Sequence, residues 1–269
     1  MTANISVGVL ALQGAFYEHL KLLKVAATQD NPDSTTTWRF LEVRTPAELS
    51  SCDALIIPGG ESTTVALIAA RCGLLEPLRD FVKVHRKPTW GTCAGLILLA
   101  ESASRTKKGG QDLIGGLDVR VNRNYFGRQT ESFEAEIHLP FLDAGKLGPN
   151  EPFPGVFIRA PVVEKILPQV TGEQLGEARL KDTVVAPARE TGKRIENAVE
   201  VLGRLPGRSQ LLKDKFGMVD LDNESGDIIA VRQHNVFGTS FHPELTQDVR
   251  VHIWWLNQVA GTVAITPKK

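Results

Sequence analysis

Lys87–Ala103 reads KPTWGTCAGLILLAESA, and the fold class follows from it. A short apolar run, Pro88–Trp90, meets Gly91-Thr92-Cys93-Ala94-Gly95, and Leu96–Ala103 is then apolar enough for a buried helix. The pattern predicts a strand, a tight turn and a helix, with one cysteine at the apex. G-x-C-x-G is the cysteine counterpart of the nucleophile elbow. Small neighbours suit it, because the backbone packs closely and a substrate must approach. A helix N-terminus behind Cys93 offers unpaired N–H groups and a partial positive charge. That field favours thiolate over thiol, and the N–H of Ala94 points toward an oxyanion on a substrate. The same residues also suit a buried structural cysteine beside turn glycines, and on this stretch alone both readings stand.

Upstream, strand and helix alternate. Ile5–Ala11 (ISVGVLA) is a near-continuous apolar strand, as expected where both sheet faces are covered. Gln13-Gly14-Ala15 turns the chain into a helix over Ala15–Val25, and Thr28–Thr37 is a polar loop. Trp38–Val43 is a strand, and Thr45-Pro46-Ala47-Glu48 starts a short helix with a capping box. Ala54–Ile57 is a third strand that stops at Pro58-Gly59-Gly60, and helices follow over Thr64–Arg71 and Glu76–Arg86. This alternation predicts a parallel α/β sheet.

Downstream the pattern changes. Leu117–Asn122, Ser132–Leu139 and Gly155–Arg159 read as antiparallel or edge strands. Thr171–Arg208 is rich in charge, Gly and Pro and reads as surface insertion. Asp227–Arg232 and Val236–Phe241 form a hairpin with His234-Asn235 at its turn, and Thr246–Val259 is an amphipathic closing helix. The expectation is a single α/β domain over residues 1–269. It has a mostly parallel central sheet, helices on both faces, an added antiparallel portion, and surface insertions near 28–37 and 171–227.

Composition narrows the function classes. Lys+Arg and Asp+Glu balance at 31 each in 269 residues, without the basic excess or stripe of a nucleic-acid binder. No apolar stretch approaches the roughly 18 residues of a membrane span, and Ile5–Leu12 is too short and lacks the basic flank of a signal peptide. Three widely spaced cysteines, Cys52, Cys72 and Cys93, suit reduced thiols in a cytoplasmic protein.

A cysteine nucleophile needs a base within hydrogen-bond reach and a third group to orient that base. His19 and His252 lie inside helices and read as core or surface groups. His85 sits in a basic stretch, His138 continues a strand and His234 is in a turn. His242 differs, because it ends a strand at His242-Pro243-Glu244, and sites gather where the strands of open α/β sheets end. Glu244 can accept the other ring N–H and fix the tautomer. A lone H-x-E is usually structural. With G-x-C-x-G it gives Cys93, His242 and Glu244 in chain order. Pro58-Gly59-Gly60-Glu61-Ser62 lets backbone N–H groups approach a ligand, though by itself it also fits an ordinary turn. Phosphate-loop spacing is absent, as are C-x-x-C and H-E-x-x-H, so neither a metal nor a cofactor is expected.

With these residues assembled, the sequence resembles the class I glutamine amidotransferases, and more closely the glutaminase subunits of pyridoxal 5′-phosphate synthases. The resemblance rests on Gly8–Ala15 (GVLALQGA), Pro58–Thr63 (PGGEST), Gly91–Gly95 (GTCAG), Arg123–Gln129 (RNYFGRQ), Phe157–Pro161 (FIRAP) and Thr239–Thr246 (TSFHPELT). It implies a flavodoxin-like fold, with Cys93 as nucleophile and His242 and Glu244 completing a triad. It further implies that Gly60, Glu61, Ser62, Arg123, Ile158 and Arg159 hold L-glutamine. Gly60 and Ala94, with the Gln13-Gly14 loop beside them, would form the oxyanion site. The implied partner is a barrel-shaped synthase subunit that uses the released ammonia to make pyridoxal 5′-phosphate. Thr28–Thr37 and Thr171–Asp227 are longer than the compact pattern needs, and neither touches a motif. Two other classes fit the elbow: a cysteine hydrolase or peptidase acting on another amide or ester, and a regulatory subunit without turnover. The intact Cys93, His242 and Glu244 argue against the second.

Overall fold

The computed structural model describes residues 3–29, 36–104, 111–123, 132–143, 151–170, 172–189, 198–207 and 225–265. Its first half alternates as β1 (Ala3–Leu10), α1 (Phe16–Gln29), β2 (Thr36–Val43), α2 (Pro46–Ser50), β3 (Ala54–Ile57), α3 (Ser62–Arg71), α4 (Leu75–Arg79), β4 (Thr89–Thr92) and α5 (Ala94–Leu99). A π-helical turn over Asp80–Val84 continues α4. The second half holds β5 (Ala100–Ser104), β6 (Leu117–Asn122), β7 (Ser132–Ile137), α6 (Pro140–Asp143), β8 (Phe153–Ile158) and β9 (Val162–Ile166). It ends with α7 (Leu175–Ala178), β10 (Thr183–Val185), β11 (Glu200–Arg204), β12 (Ile228–Gln233), β13 (Val236–Thr239), a 3-10 turn (Pro243–Leu245) and α8 (Arg250–Ile265).

The central sheet runs β11-β12-β13-β4-β3-β1-β2. The five strands β13, β4, β3, β1 and β2 are mutually parallel, and β12 and β11 add the antiparallel edge. Read from the other end, this is the doubly wound order 2-1-3-4-5, with β13 as fifth strand. A second sheet, β10-β5-β6-β9, and the hairpin β7-β8 complete the framework. Core residues alternate along the central strands. Leu55 and Ile57 face one side with α3, α4, α5 and the second sheet, while Ala54 and Ile56 face the other with α1, α8 and the β7-β8 hairpin. Fully buried Trp90 on β4 anchors that second side. Side chains of this size contribute about 1.5–3 kcal/mol each when fully buried.

The α/β architecture, the mostly parallel sheet with helices on both faces and the antiparallel addition match the expectation. The helix expected over Leu96–Ala103 is shorter. It ends at Leu99, and Ala100 turns extended (φ −68°, ψ 144°) to begin β5, which pairs with β6 and β10. Residues Ala94–Ala103 are all buried, and an apolar run buried on every side carries no period to tell helix from strand. The closing helix starts at Arg250 rather than Thr246. The 3-10 turn intervenes, and Asp248 accepts a hydrogen bond from the Arg250 N–H at 2.9 Å. Within 171–227, β10 pairs with β5 and β11 with β12, so the described part of that stretch is woven into both sheets. The remainder, and residues 30–35 of the 28–37 stretch, lie outside the described residues. The capping box on α2 is present, with Thr45 and Glu48 exchanging hydrogen bonds.

Candidate active site

Four strand ends converge on one edge of the parallel sheet: Gln13-Gly14 after β1, Gly59–Ser62 after β3, Cys93 after β4 and His242 after β13. Crevices outside the carboxyl ends of such strands are where open α/β sheets bind ligands.

Cys93 holds the strained conformation that the elbow requires. Its φ is 48° with ψ at −99°, a region costing a non-glycine residue about 1–3 kcal/mol. Its N–H donates to the Thr239 carbonyl at 2.8 Å, which fixes the bend against β13. Gly95 is required by packing, since a Cβ there would lie 2.0 Å from the Ile57 carbonyl oxygen. The thiol is buried, and Sγ lies 3.9 Å from the Ile158 carbonyl. Ala94 opens α5, so its N–H belongs to the first turn, which has no intrahelical acceptor.

His242 meets this thiol across the crevice. Burial opposes a charge on its imidazole. Hydrogen bonds and charge from Cys93 and Glu244 outweigh that cost and push its pKa up to about 10. His242 Nδ1 stands 2.7 Å from Oε1 of the buried Glu244, so the carboxylate takes one ring nitrogen and leaves Nε2 for the thiol. The His242 N–H donates to the Val156 carbonyl on β8 at 2.8 Å, which secures the turn. Gly59 packs against the ring, and a Cβ there would come within 2.3 Å of His242 Cε1 and 3.4 Å of Cys93 Cβ.

Behind the carboxylate lies a group that the sequence places inside a helix as a core or surface side chain. His19, on the first turns of α1, is fully buried, with Nε2 3.4 Å from Glu244 Oε2 and 3.3 Å from Thr92 Oγ1. Its Nδ1 lies 3.1 Å from Nε2 of the fully buried His252 on α8. Burial holds both imidazoles well below their ordinary pKa, His252 at about 3, and neighbouring His252 and His242 lower His19 further.

The loops beside the thiol are tied together. Gln13 Oε1 accepts from the Glu61 N–H at 2.8 Å, and the Ala15 N–H donates to the Gly59 carbonyl at 3.3 Å. Glu61 caps α3, accepting from the backbone N–H groups of Thr63 and Thr64; partial desolvation raises its carboxyl pKa, but the hydrogen bonds from Thr64 and Thr63 outweigh that and hold it below the usual range. Ser62 and Thr63 hydroxyls both donate toward Gln111 Oε1, at 3.0 and 3.4 Å. Arg123 is buried beside them. It donates to Thr63 Oγ1 at 2.6 Å and stands 4.0 Å from Glu61; burial lowers its pKa while Glu61 raises it. Its Nε and the Gln111 amide nitrogen have no hydrogen-bond partner among the described residues. Arg159, in a left-handed conformation (φ 46°), is exposed next to Ile158. Gly60, Glu61, Ser62 and Arg123 therefore share one wall, and Ile158-Arg159 approach from the thiol side. Residues 124–129 of the RNYFGRQ stretch lie outside the described residues. Gln111 sits in no recognisable motif and carries no signal in the sequence, and His19 reads there only as a core or surface group.

A strained cysteine at an elbow, an imidazole from the adjoining parallel strand and a carboxylate behind it form an arrangement that fits a cysteine hydrolase on a doubly wound sheet. The chain belongs to the SNO glutamine amidotransferase family, whose sequence signature matches residues 9–193 and 188–261. It is 40% identical over 257 residues to the probable pyridoxal 5′-phosphate synthase subunit PDX2 of Arabidopsis thaliana, covering 94% of this chain and 85% of that protein. It is 39% identical over 253 residues to the pyridoxal 5′-phosphate synthase subunit PdxT of Streptomyces griseus, covering 94% and 95%. A crystal structure of a glutamine amidotransferase is similar, with TM-score 0.61 and 34% identity over 94% of this chain and 98% of the other. Among the described residues, no helix is long and apolar enough to cross a membrane.

Proposed function

We propose that the chain is the glutaminase subunit of a pyridoxal 5′-phosphate synthase. It hydrolyses L-glutamine to glutamate and ammonia through Cys93, His242 and Glu244, and it passes the ammonia to a barrel-shaped synthase subunit. The observation that carries the reading is the 2.7 Å contact between His242 Nδ1 and Glu244 Oε1, on an imidazole whose pKa the nearby Cys93 thiol also raises. The kinship with synthase subunits in Arabidopsis thaliana and Streptomyces griseus supports the choice of partner, and three free cysteines suit a cytoplasmic setting.

In the reaction, Cys93 Sγ attacks the carboxamide carbon while the C=O electrons move onto oxygen. Backbone N–H groups at Gly60 and Ala94, with the Gln13-Gly14 loop beside them, hold that oxyanion; one such donor is worth about 2.7–4 kcal/mol in other enzymes. Protonated His242 gives its proton to the departing nitrogen, and ammonia leaves a glutamyl thioester. Neutral His242 then takes a proton from water, which adds to the thioester carbon, and glutamate and the thiol are released. Gly60, Glu61, Ser62, Arg123, Ile158 and Arg159 form the substrate cradle, with Arg123 and Arg159 as partners for the glutamine carboxylate. Ammonia release from glutamine by Cys93→Ala, measured with the synthase subunit present, tests this. Loss of turnover is expected, and retained turnover refutes the nucleophile assignment.

A further inference from the structure

We infer that His19 is a positioning residue that holds the second oxygen of Glu244 through its Nε2–H, so that the carboxylate is gripped between two histidines. The inference rests on the triad reading above. Two independent features of the buried cluster select that tautomer. If His19 carried its proton on Nδ1, it would donate to His252 Nε2, and His252 would have to keep its proton on Nδ1, which has no partner among the described residues. An orphaned buried N–H is rarer and costlier than an orphaned lone pair. With the proton on Nε2 of both rings, His252 donates to His19 Nδ1 and only a lone pair is left bare. The second feature is charge. His19 Nε2 lies 3.4 Å from Glu244 Oε2, and that buried oxygen accepts no hydrogen bond among the described residues, so it is open to a donor. A lone pair there would repel the carboxylate, whereas an N–H attracts it. Both rings are fully buried and stay neutral, so the contact is a directed donor and not a second positive charge competing with His242.

The geometry also explains why the grip is loose at rest. His19 Nε2 is hydrogen-bonded to Thr92 Oγ1 at 3.3 Å and stands 3.4 Å from Glu244 Oε2, which has no hydrogen-bond partner among the described residues, and both separations exceed the ordinary N–H···O distance. Catalytic hydrogen bonds are commonly long before substrate arrives and shorten in the working complex. Thr92 is the residue before the nucleophile, so His19 touches both the strand that launches Cys93 and the carboxylate that orients its base. Its ring is set edge-on to Trp90 at 5.4 Å between centroids, which keeps it from turning away.

The test has a spectroscopic arm on the wild-type protein and a kinetic arm in the complex with the synthase subunit. Nitrogen-15 shifts of the histidine side chains should show His19 protonated on Nε2; protonation on Nδ1 overturns the inference whether or not any variant folds. In glutamine turnover, His19→Met should lower kcat about tenfold or more with KM within about twofold, since His19 touches no substrate residue. His19→Gln, of the same shape but with an amide N–H, should restore most of that loss. Equal kcat in His19→Met and wild type, or equal loss in the Met and Gln variants, overturns the inference. Glu244→Gln separates the two levels. If it is impaired while His19→Met turns over normally, only the role of His19 falls. If Glu244→Gln turns over like wild type, the triad reading falls and takes this inference with it.

Discussion

The side-chain carbonyl of Gln13 accepts a hydrogen bond from the backbone N–H of Glu61 at 2.8 Å, joining the loop after β1 to the loop after β3. The bond passes directly beside Gly60, where an added Cβ would lie 2.4 Å from Gln13 Oε1. Gln13 therefore sets the position of the Gly60 backbone, one of the two proposed oxyanion donors. Gln13→Leu should lower kcat for glutamine about tenfold, a loss of about 1.4 kcal/mol in transition-state stabilisation. The thermal midpoint should move little, because Gln13 is only half-buried. A steady-state assay of ammonia release, paired with a melting curve, checks both halves; an unchanged kcat would show that the loop holds its place without this bond.

Gly59 packs against both His242, the proposed base, and Cys93, the proposed nucleophile. The methyl of Gly59→Ala would arrive 2.3 Å from His242 Cε1, closer than any real Cβ contact, so the imidazole must move. A displacement of about 1 Å in a catalytic group costs roughly 100-fold. The expected outcome is a loss of turnover of that order in a protein that still melts cooperatively. Near-normal turnover would place the working position of His242 elsewhere.

The raised pKa of His242 carries a sign that can be checked. Burial works against its charge, and the gain comes from hydrogen bonding and charge at Cys93 and Glu244. The folded value of about 10 exceeds the ordinary 6.5, so folding takes up a proton between these limits. The stability this supplies is complete below pH 6.5 and is lost as pH rises toward 10. Removing the thiol with Cys93→Ala should bring the His242 titration down toward neutrality in NMR. The wild-type melting temperature should then decline more steeply than that of Cys93→Ala across the same pH range. A His242 titration identical in both proteins would separate the imidazole from the thiol.

Arg123 is a buried cation on the proposed substrate wall; its guanidinium donates to Thr63 Oγ1, and its Nε has no partner among the described residues. A carboxylate arriving there would satisfy it. Arg123→Met should raise KM for glutamine about 10- to 100-fold, as expected for a lost charge-assisted hydrogen bond of about 1.5–3 kcal/mol. The kcat should stay within about threefold. Unchanged KM in a titration with glutamine would assign Arg123 to packing alone.

How far the sequence could be read depended on how local each signal is. Gly91–Gly95 and His242-Pro243-Glu244 are short motifs written in adjacent residues, so the strand-to-helix elbow at Cys93 and the His242–Glu244 pairing were legible. The capping box at Thr45 and Glu48 and the parallel strands were legible for the same reason. Ala100–Ser104 was not, because its strand character is conferred by β6 and β10 and not by its own apolar run. Nor was β9, whose pairing partner β6 lies some 40 residues earlier and leaves no periodic trace in Val162–Ile166. His19 was legible only as a core or surface group of a helix. Its neighbours His252, Thr92 and Glu244 come from α8, the end of β4 and the turn after β13, contacts that only the folded chain creates.

The pairing of Thr92 with Thr239 places the last residues of β4 and β13 side by side in the middle of the sheet, and the Cys93 N–H is bonded to Thr239 itself. Sulfur and imidazole are thus mounted on one continuous hydrogen-bonded ladder, the part of a protein that opens last. Their mutual alignment should survive until the whole molecule melts, so partial heating ought to erode glutamine affinity, through the exposed Gly60-Glu61 and Ile158-Arg159 segments of the proposed cradle, well before it separates the proposed reacting pair.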